Sequence, residues 1–82
     1  MIAVDVKLYA TLRKYAPDPK TGGPFRVELD EGSSIVSLLK KVRIPEDQAT
    51  MLIVDGKQVN KEHALQSGNL VALFPPIAGG QF

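Results

Sequence analysis

Only one stretch of the chain carries a convincing helical repeat, and that limits how a core can be built. In GSSIVSLLKKV, residues 32–42, Ile35, Leu38, Leu39 and Val42 fall at i, i+3, i+4 and i+7 and so share one face. Ser34, or Ser33, is placed to cap the amino end. Lys40, Lys41 and Arg43 suit the negative carboxyl end, and Pro45 marks the stop. A lone helix with one apolar face must bury it against something else, and the rest of the sequence supplies strands.

The opening IAVDVKLY alternates, with Ile2, Val4, Val6 and Leu8 on one side and Ala3, Asp5, Lys7 and Tyr9 on the other. ATLRKYA adds a short helical turn before the loop PDPKTGGP, and FRVELD alternates again through Phe25, Val27 and Leu29. The two strands form a hairpin with a long connection. After the helix, TMLIVDGKQV reads as a strand, an Asp55-Gly56 turn and a short strand around Gln58 and Val59. LQSGN is a turn and LVALF a last strand. One helix crossing a mixed sheet of four to five strands buries one face of each layer, the α+β solution. Residues 1–74 make one domain and 75–82 a flexible tail, with no repeat or low-complexity tract.

Composition removes several classes of function. The 82 residues allow one core at most, with about 60–65% of the unfolded surface buried. No apolar run approaches the roughly 18 residues of a spanning helix, and the amino terminus lacks a signal pattern, so the expected location is the cytoplasm, away from membranes. A net charge of +1 supplies no field for nucleic acid, and the cluster Lys40, Lys41, Arg43 reads as a solvated helix end. The absence of cysteine excludes disulfides and thiolate metal sites; if the protein carries sulfur, no thiol does so. The single His63, among Lys61, Glu62 and Gln66, cannot build a metal site alone and reads as an exposed loop residue. No nucleophile and base, metal set or phosphate loop marks an enzyme.

The end of the chain, FPPIAGGQF, is the distinctive part. Glycine allows close backbone approach, so Gly79-Gly80 forms a thin probe. Pro75 and Pro76 restrict φ and give that probe a stiff base, and residues 74–82 carry no charge that would resist entry into a protein interior. Gly22-Gly23 in KTGGPF is the same dipeptide, read as loop only; position, a preceding strand and two prolines distinguish the second pair. If the last strand lies beside the first, Val71 and Leu73 face the core, leaving Leu70, Ala72 and Phe74 outside near Tyr9. Leu70, Phe74 and Tyr9 are then candidate partner contacts.

That element order, joined to LQSGNLVALFPPIAGG, resembles the ubiquitin-like β-grasp sulfur carriers, nearest to the molybdopterin synthase small subunit and more loosely to the thiamin sulfur carrier. VKLYATLRKYA, GSSIVSLLKKV, VDGK and VALFPPIAGG carry the likeness over nearly the whole chain. The resemblance implies a non-catalytic carrier whose terminal glycine, here Gly80 at the end of the tail Pro75, Pro76, Ile77, Ala78, Gly79, is adenylated by an E1-like enzyme using ATP. Sulfur then replaces AMP, and the thiocarboxylate is consumed by a molybdopterin synthase large subunit or another acceptor. The domain itself binds no cofactor. Two features depart from the pattern: Asn69 follows Gly68 where the family usually has Asp, and Gln81-Phe82 follow the diglycine where carriers typically stop. The expectation is therefore a precursor trimmed by a peptidase, of the zinc-dependent, deubiquitinase-like kind that the resemblance suggests. A lysine-linked protein modifier and an unprocessed interaction domain are the alternatives.

Overall fold

The structure, a computed structural model, describes residues 1–17 and 23–76. Five strands form one sheet: β1 (Ile2–Leu8), β2 (Phe25–Leu29), β3 (Met51–Val54), β4 (Lys57–Val59) and β5 (Leu70–Phe74). Their spatial order is β2-β1-β5-β3-β4. The first and last strands are central and parallel, with Val6 opposite Val71 and Leu8 opposite Leu73; the other pairs are antiparallel. One helix, α1 (Ile35–Val42), covers one face, and 3-10 segments follow β1 (Ala10–Tyr15) and precede β3 (Glu46–Gln48). This is the expected ubiquitin-like β-grasp, with five strands.

Alternation predicts the burial well. Val4, Val6 and Leu8 of β1, Val71 and Leu73 of β5, and Leu52 and Val54 of β3 are buried together with Ile35, Leu38 and Leu39 of α1. Leu12, Ile44, Ala49 and Leu65 close the core from the connections, and no polar or charged residue among those described is buried. Val42, the last member of the helical stripe, is only partly buried. The helix ends there because Arg43 enters the left-handed region (φ 64°) and its N–H returns to the carbonyls of Leu39 and Lys40.

The helix start resolves the choice of cap. Ser34 holds the cap position in extended backbone, and its N–H reaches the Ser37 hydroxyl at 3.4 Å. The next two amides donate to carbonyls of a distant loop, Ile35 to His63 (3.2 Å) and Val36 to Lys61 (3.1 Å), while the Leu65 N–H donates to the Ser33 carbonyl (2.8 Å). The loop around His63 thus satisfies helix-terminal donors with backbone, while its side chains remain exposed.

The Gly68-Asn69 departure has a physical reason. Asp55 and Gly56 both have positive φ (51° and 85°), as the tight turn between β3 and β4 requires. The Asp55 carboxylate accepts the Leu70 N–H (2.8 Å) and one N–H of the Asn69 side-chain amide (2.7 Å). The Asn69 amide oxygen meanwhile accepts the Gln66 N–H (2.7 Å). An aspartate at 69 would set one carboxylate against another across that 2.7 Å contact. We therefore expect Asn69→Asp to destabilise the fold by about 1–2 kcal/mol in urea denaturation. Asp55→Asn combined with Asn69→Asp restores donor and acceptor in exchanged places, and recovers stability to within about 0.5 kcal/mol of the parent. Equal losses in the single and double variants would show that the pairing is inconsequential.

Candidate functional site

The parallel pairing of β1 and β5 determines where the tail leaves. Both strands run the same way, so the residue following β1, Tyr9, arrives beside the last residue of β5, Phe74. Their rings stack with centroids 4.3 Å apart and planes within 10°. The Lys7 ammonium lies 5.3 Å from the Tyr9 ring centre on the same face, within cation–π range. Backbone bonds hold the strand on both flanks: the Tyr9 N–H donates to the Leu73 carbonyl (3.2 Å) and the Thr50 N–H to the Phe74 carbonyl (3.0 Å). The chain is gripped through residue 74, and Pro75, half-buried, followed by Pro76, exposed, leads away from the sheet.

Ala10 follows Tyr9 with φ 52°, a left-handed conformation costing an alanine about 1–2 kcal/mol. The chain there turns off the sheet directly beyond the stacked ring, and the 3-10 segment beginning at Ala10 returns Leu12 to the core.

The outer face of the sheet, opposite α1, carries the predicted contacts unevenly. Tyr9 and Phe74 adjoin. Leu70 shares their face and is 46% exposed, but it opens β5 and pairs with Asp5, about 13 Å along the strand from Phe74. Ala72 lies between them. The nearer apolar neighbours come from β3: Met51 stands opposite Phe74 and Ile53 opposite Ala72. Met51 is 39% exposed. The patch at the base of the tail is therefore Tyr9, Phe74, Met51, Ala72 and Ile53, with Leu70 as an outlying member. Met51 and Ile53 escaped the sequence reading, although the alternation in MLIV, with Leu52 and Val54 inward, carries the signal.

Ile77, Ala78, Gly79, Gly80, Gln81 and Phe82 lie outside the described residues. Among those described, no group of three His, Cys, Asp or Glu side chains converges as a metal site. No helix among them is long and apolar enough to cross a membrane.

The stacked pair should be energetically coupled. Tyr9→Ala and Phe74→Ala each cost stability, and a double-mutant cycle read by chemical denaturation returns a coupling of about 0.5–1.5 kcal/mol. Leu70→Ser stays within about 0.5 kcal/mol of the parent. Additive losses at positions 9 and 74 would deny the stack any role in fixing the tail's base.

Comparison with known proteins agrees with this architecture. The ThiS family model matches residues 6–80. No curated protein matches the chain. Among solved structures, a Pyrococcus furiosus protein provisionally assigned as molybdopterin converting factor subunit 1 superposes with a TM-score of 0.70 at 22% identity, over 94% of this chain and 100% of its own. Small archaeal modifier protein 1 of Haloferax volcanii gives 0.72 at 20%, over 94% and 100%. A chain from the complex of subunits 1 and 2 of the molybdopterin-converting factor from Helicobacter pylori gives 0.61 at 15%, over 96% and 100%. At these identities the structures speak for a shared fold, while the family match spans most of the sequence: the chain belongs to the ThiS family.

Proposed function

We propose that the chain is a sulfur carrier made as a precursor, with Gly80 as its working end. The observation that carries this reading is the placement of FPPIAGG directly after a strand held from both sides, beside an exposed apolar patch, in a sequence whose family match runs to residue 80. The patch serves as the docking surface, and the prolines and glycines lead the reactive end into a partner's active site.

Gly80 is followed by Gln81, so its carbonyl belongs to a peptide bond. A peptidase hydrolyses that bond and frees the Gly80 carboxylate. In an E1-like partner the carboxylate oxygen attacks the α-phosphorus of ATP, pyrophosphate leaves, and an acyl adenylate forms. Hydrosulfide-level sulfur then attacks the acyl carbon and displaces AMP, leaving a thiocarboxylate. The carrier binds none of the nucleotide itself; it supplies the carboxylate and the surface by which each enzyme holds it. The Helicobacter pylori complex of subunits 1 and 2 supports a large-subunit acceptor by analogy.

A second reading rests on the fold shared with small archaeal modifier protein 1: a lysine amine attacks the same adenylate and forms an isopeptide bond. Intact mass spectrometry of the protein from its own host, with sequencing of its carboxyl-terminal peptide, separates the readings. A chain ending at Gly80 with one oxygen exchanged for sulfur supports the carrier, and Gly80 joined to lysine supports the modifier. Retention of Gln81-Phe82 under conditions where the pathway runs would sink both. With the purified adenylating enzyme and trimmed protein, Gly80→Ala is expected to lower adenylate formation on the order of 10²-fold by misplacing the carboxylate.

A further inference from the structure

The two edges of the sheet differ, and one of them is built to receive another strand. Along β1, the backbone of alternate residues serves opposite neighbours. The Asp5 N–H donates to the Asn69 carbonyl (2.9 Å), the Tyr9 N–H to the Leu73 carbonyl (3.2 Å), and the Ala3 carbonyl accepts the Gly68 N–H (2.8 Å). Ala3, Asp5 and Tyr9 therefore address the β5 side, so Ile2, Val4 and Val6 address β2. Their partners there are Leu29, Val27 and Phe25. Arg26 and Glu28 accordingly direct their N–H and C=O groups away from the sheet, along a free edge of five residues, about 17 Å long. The opposite edge, β4, has only three residues.

Beside the β2 edge, on the side where α1 lies, runs a groove with two depressions. One, of about 320 Å³, is lined by Tyr15, Phe25, Val27, Val42, Lys41 and Arg43. The other, of about 390 Å³, lies between Leu29 and the helix residues Ser33, Ser37, Lys40 and Lys41. Tyr15, Phe25 and Val42 are partly buried and pack on the core, so the first depression has an apolar floor. Its rim is cationic: Lys41 and Arg43 end the helix, Arg26 stands on the edge strand, and the Lys14 ammonium lies 5.4 Å from the Tyr15 ring centre. The far end carries Glu28 and Asp30. Charge along the groove is therefore polarised, positive at the Phe25 end and mixed at the Leu29 end.

We propose that the β2 edge binds an extended peptide segment of a partner protein as a sixth strand, and that the segment is an alternating apolar run followed by a carboxyl-terminal acidic cluster. Backbone pairing to Arg26 and Glu28 supplies affinity. Alternate apolar side chains enter the groove over Phe25, Tyr15 and Val42. Acidic residues belong beside Lys41 and Arg43, because the other end would oppose them with Glu28 and Asp30. An antiparallel peptide, the slightly more stable pairing, sets its carboxyl end against Phe25, which fixes the order of apolar and acidic parts. The site is independent of Gly80 and stands whether or not the carrier reading does.

The test uses the full-length protein labelled for NMR and a synthetic peptide of alternating Val and Thr followed by a run of Glu. The expected result is binding with a Kd of about 10–100 μM, shifts at Arg26, Glu28 and Val42, and slowed amide exchange at Arg26 and Glu28. Lys41→Glu with Arg43→Glu weakens binding at least about tenfold. Arg26→Pro removes an edge donor that the sheet does not use, so it abolishes binding while an unchanged fold is verified by the remaining amide spectrum. Should that variant misfold, the Lys41 and Arg43 pair carries the test alone. Equal binding of a peptide ending in Lys, shifts confined to Tyr9, Met51 and Phe74, or absence of slowed exchange at saturation would each overturn the proposal. So would a dimer through β2 that forms without peptide, since a second copy would then be the occupant.

Discussion

Everything distinctive in this molecule depends on the pairing of the first strand with the last. Val4, Val6, Val71 and Leu73 are at most 1% exposed, the best-shielded strand positions in the core. Because β1 and β5 are parallel, the segments leaving their carboxyl ends emerge side by side. Tyr9 and Phe74 meet for that reason, and the tail starts from the middle of the sheet with a strand on each side. A tail leaving an edge strand would have one anchoring neighbour; this one has two, through the Tyr9 and Thr50 amides.

The two faces and two edges of the sheet then take separate roles. The inner face is spent on α1 and the core. The outer face presents aromatic and aliphatic surface around the tail's base, where a protein handling the tail can close over it. The β2 edge and its groove lie beyond β1 from β5, flanked by the helix. Partners at the outer face and at the edge approach from different directions, so one need not displace the other.

Much of this is legible in the residues because period two and period 3.6 are local properties. The strands, the helix, the Asp55-Gly56 turn and the inward set Val4, Val6, Leu8, Val71 and Leu73 follow from spacing alone. What spacing lacks is distance along a face and adjacency between segments far apart in the chain. Leu70 and Phe74 share a side of β5, and nothing local says that one is at the wrong end of the strand. Met51 and Ile53 become members of the patch only once β3 is known to flank β5. The bond between Asp55 and Asn69 joins residues 14 positions apart, so an apparent departure at one site is explained only by the other. Arg43 in a left-handed conformation is likewise invisible, since spacing shows where a helix ends and not how its backbone turns.

The central position of β5 also bears on how the chain acquires its shape. Before residues 70–74 are available, the remaining strands can form only two separate ladders, β1 with β2 and β3 with β4, and neither touches the other. The strand that joins them is synthesised after the other four and pairs with the first of them, a contact of high sequence separation and slow formation. Most of the hydrophobic core is therefore assembled in one closing step, after β5 has emerged from the ribosome. A nascent chain truncated before that strand has no complete sheet to offer, so a properly folded surface reports that synthesis has reached the threshold of the diglycine tail.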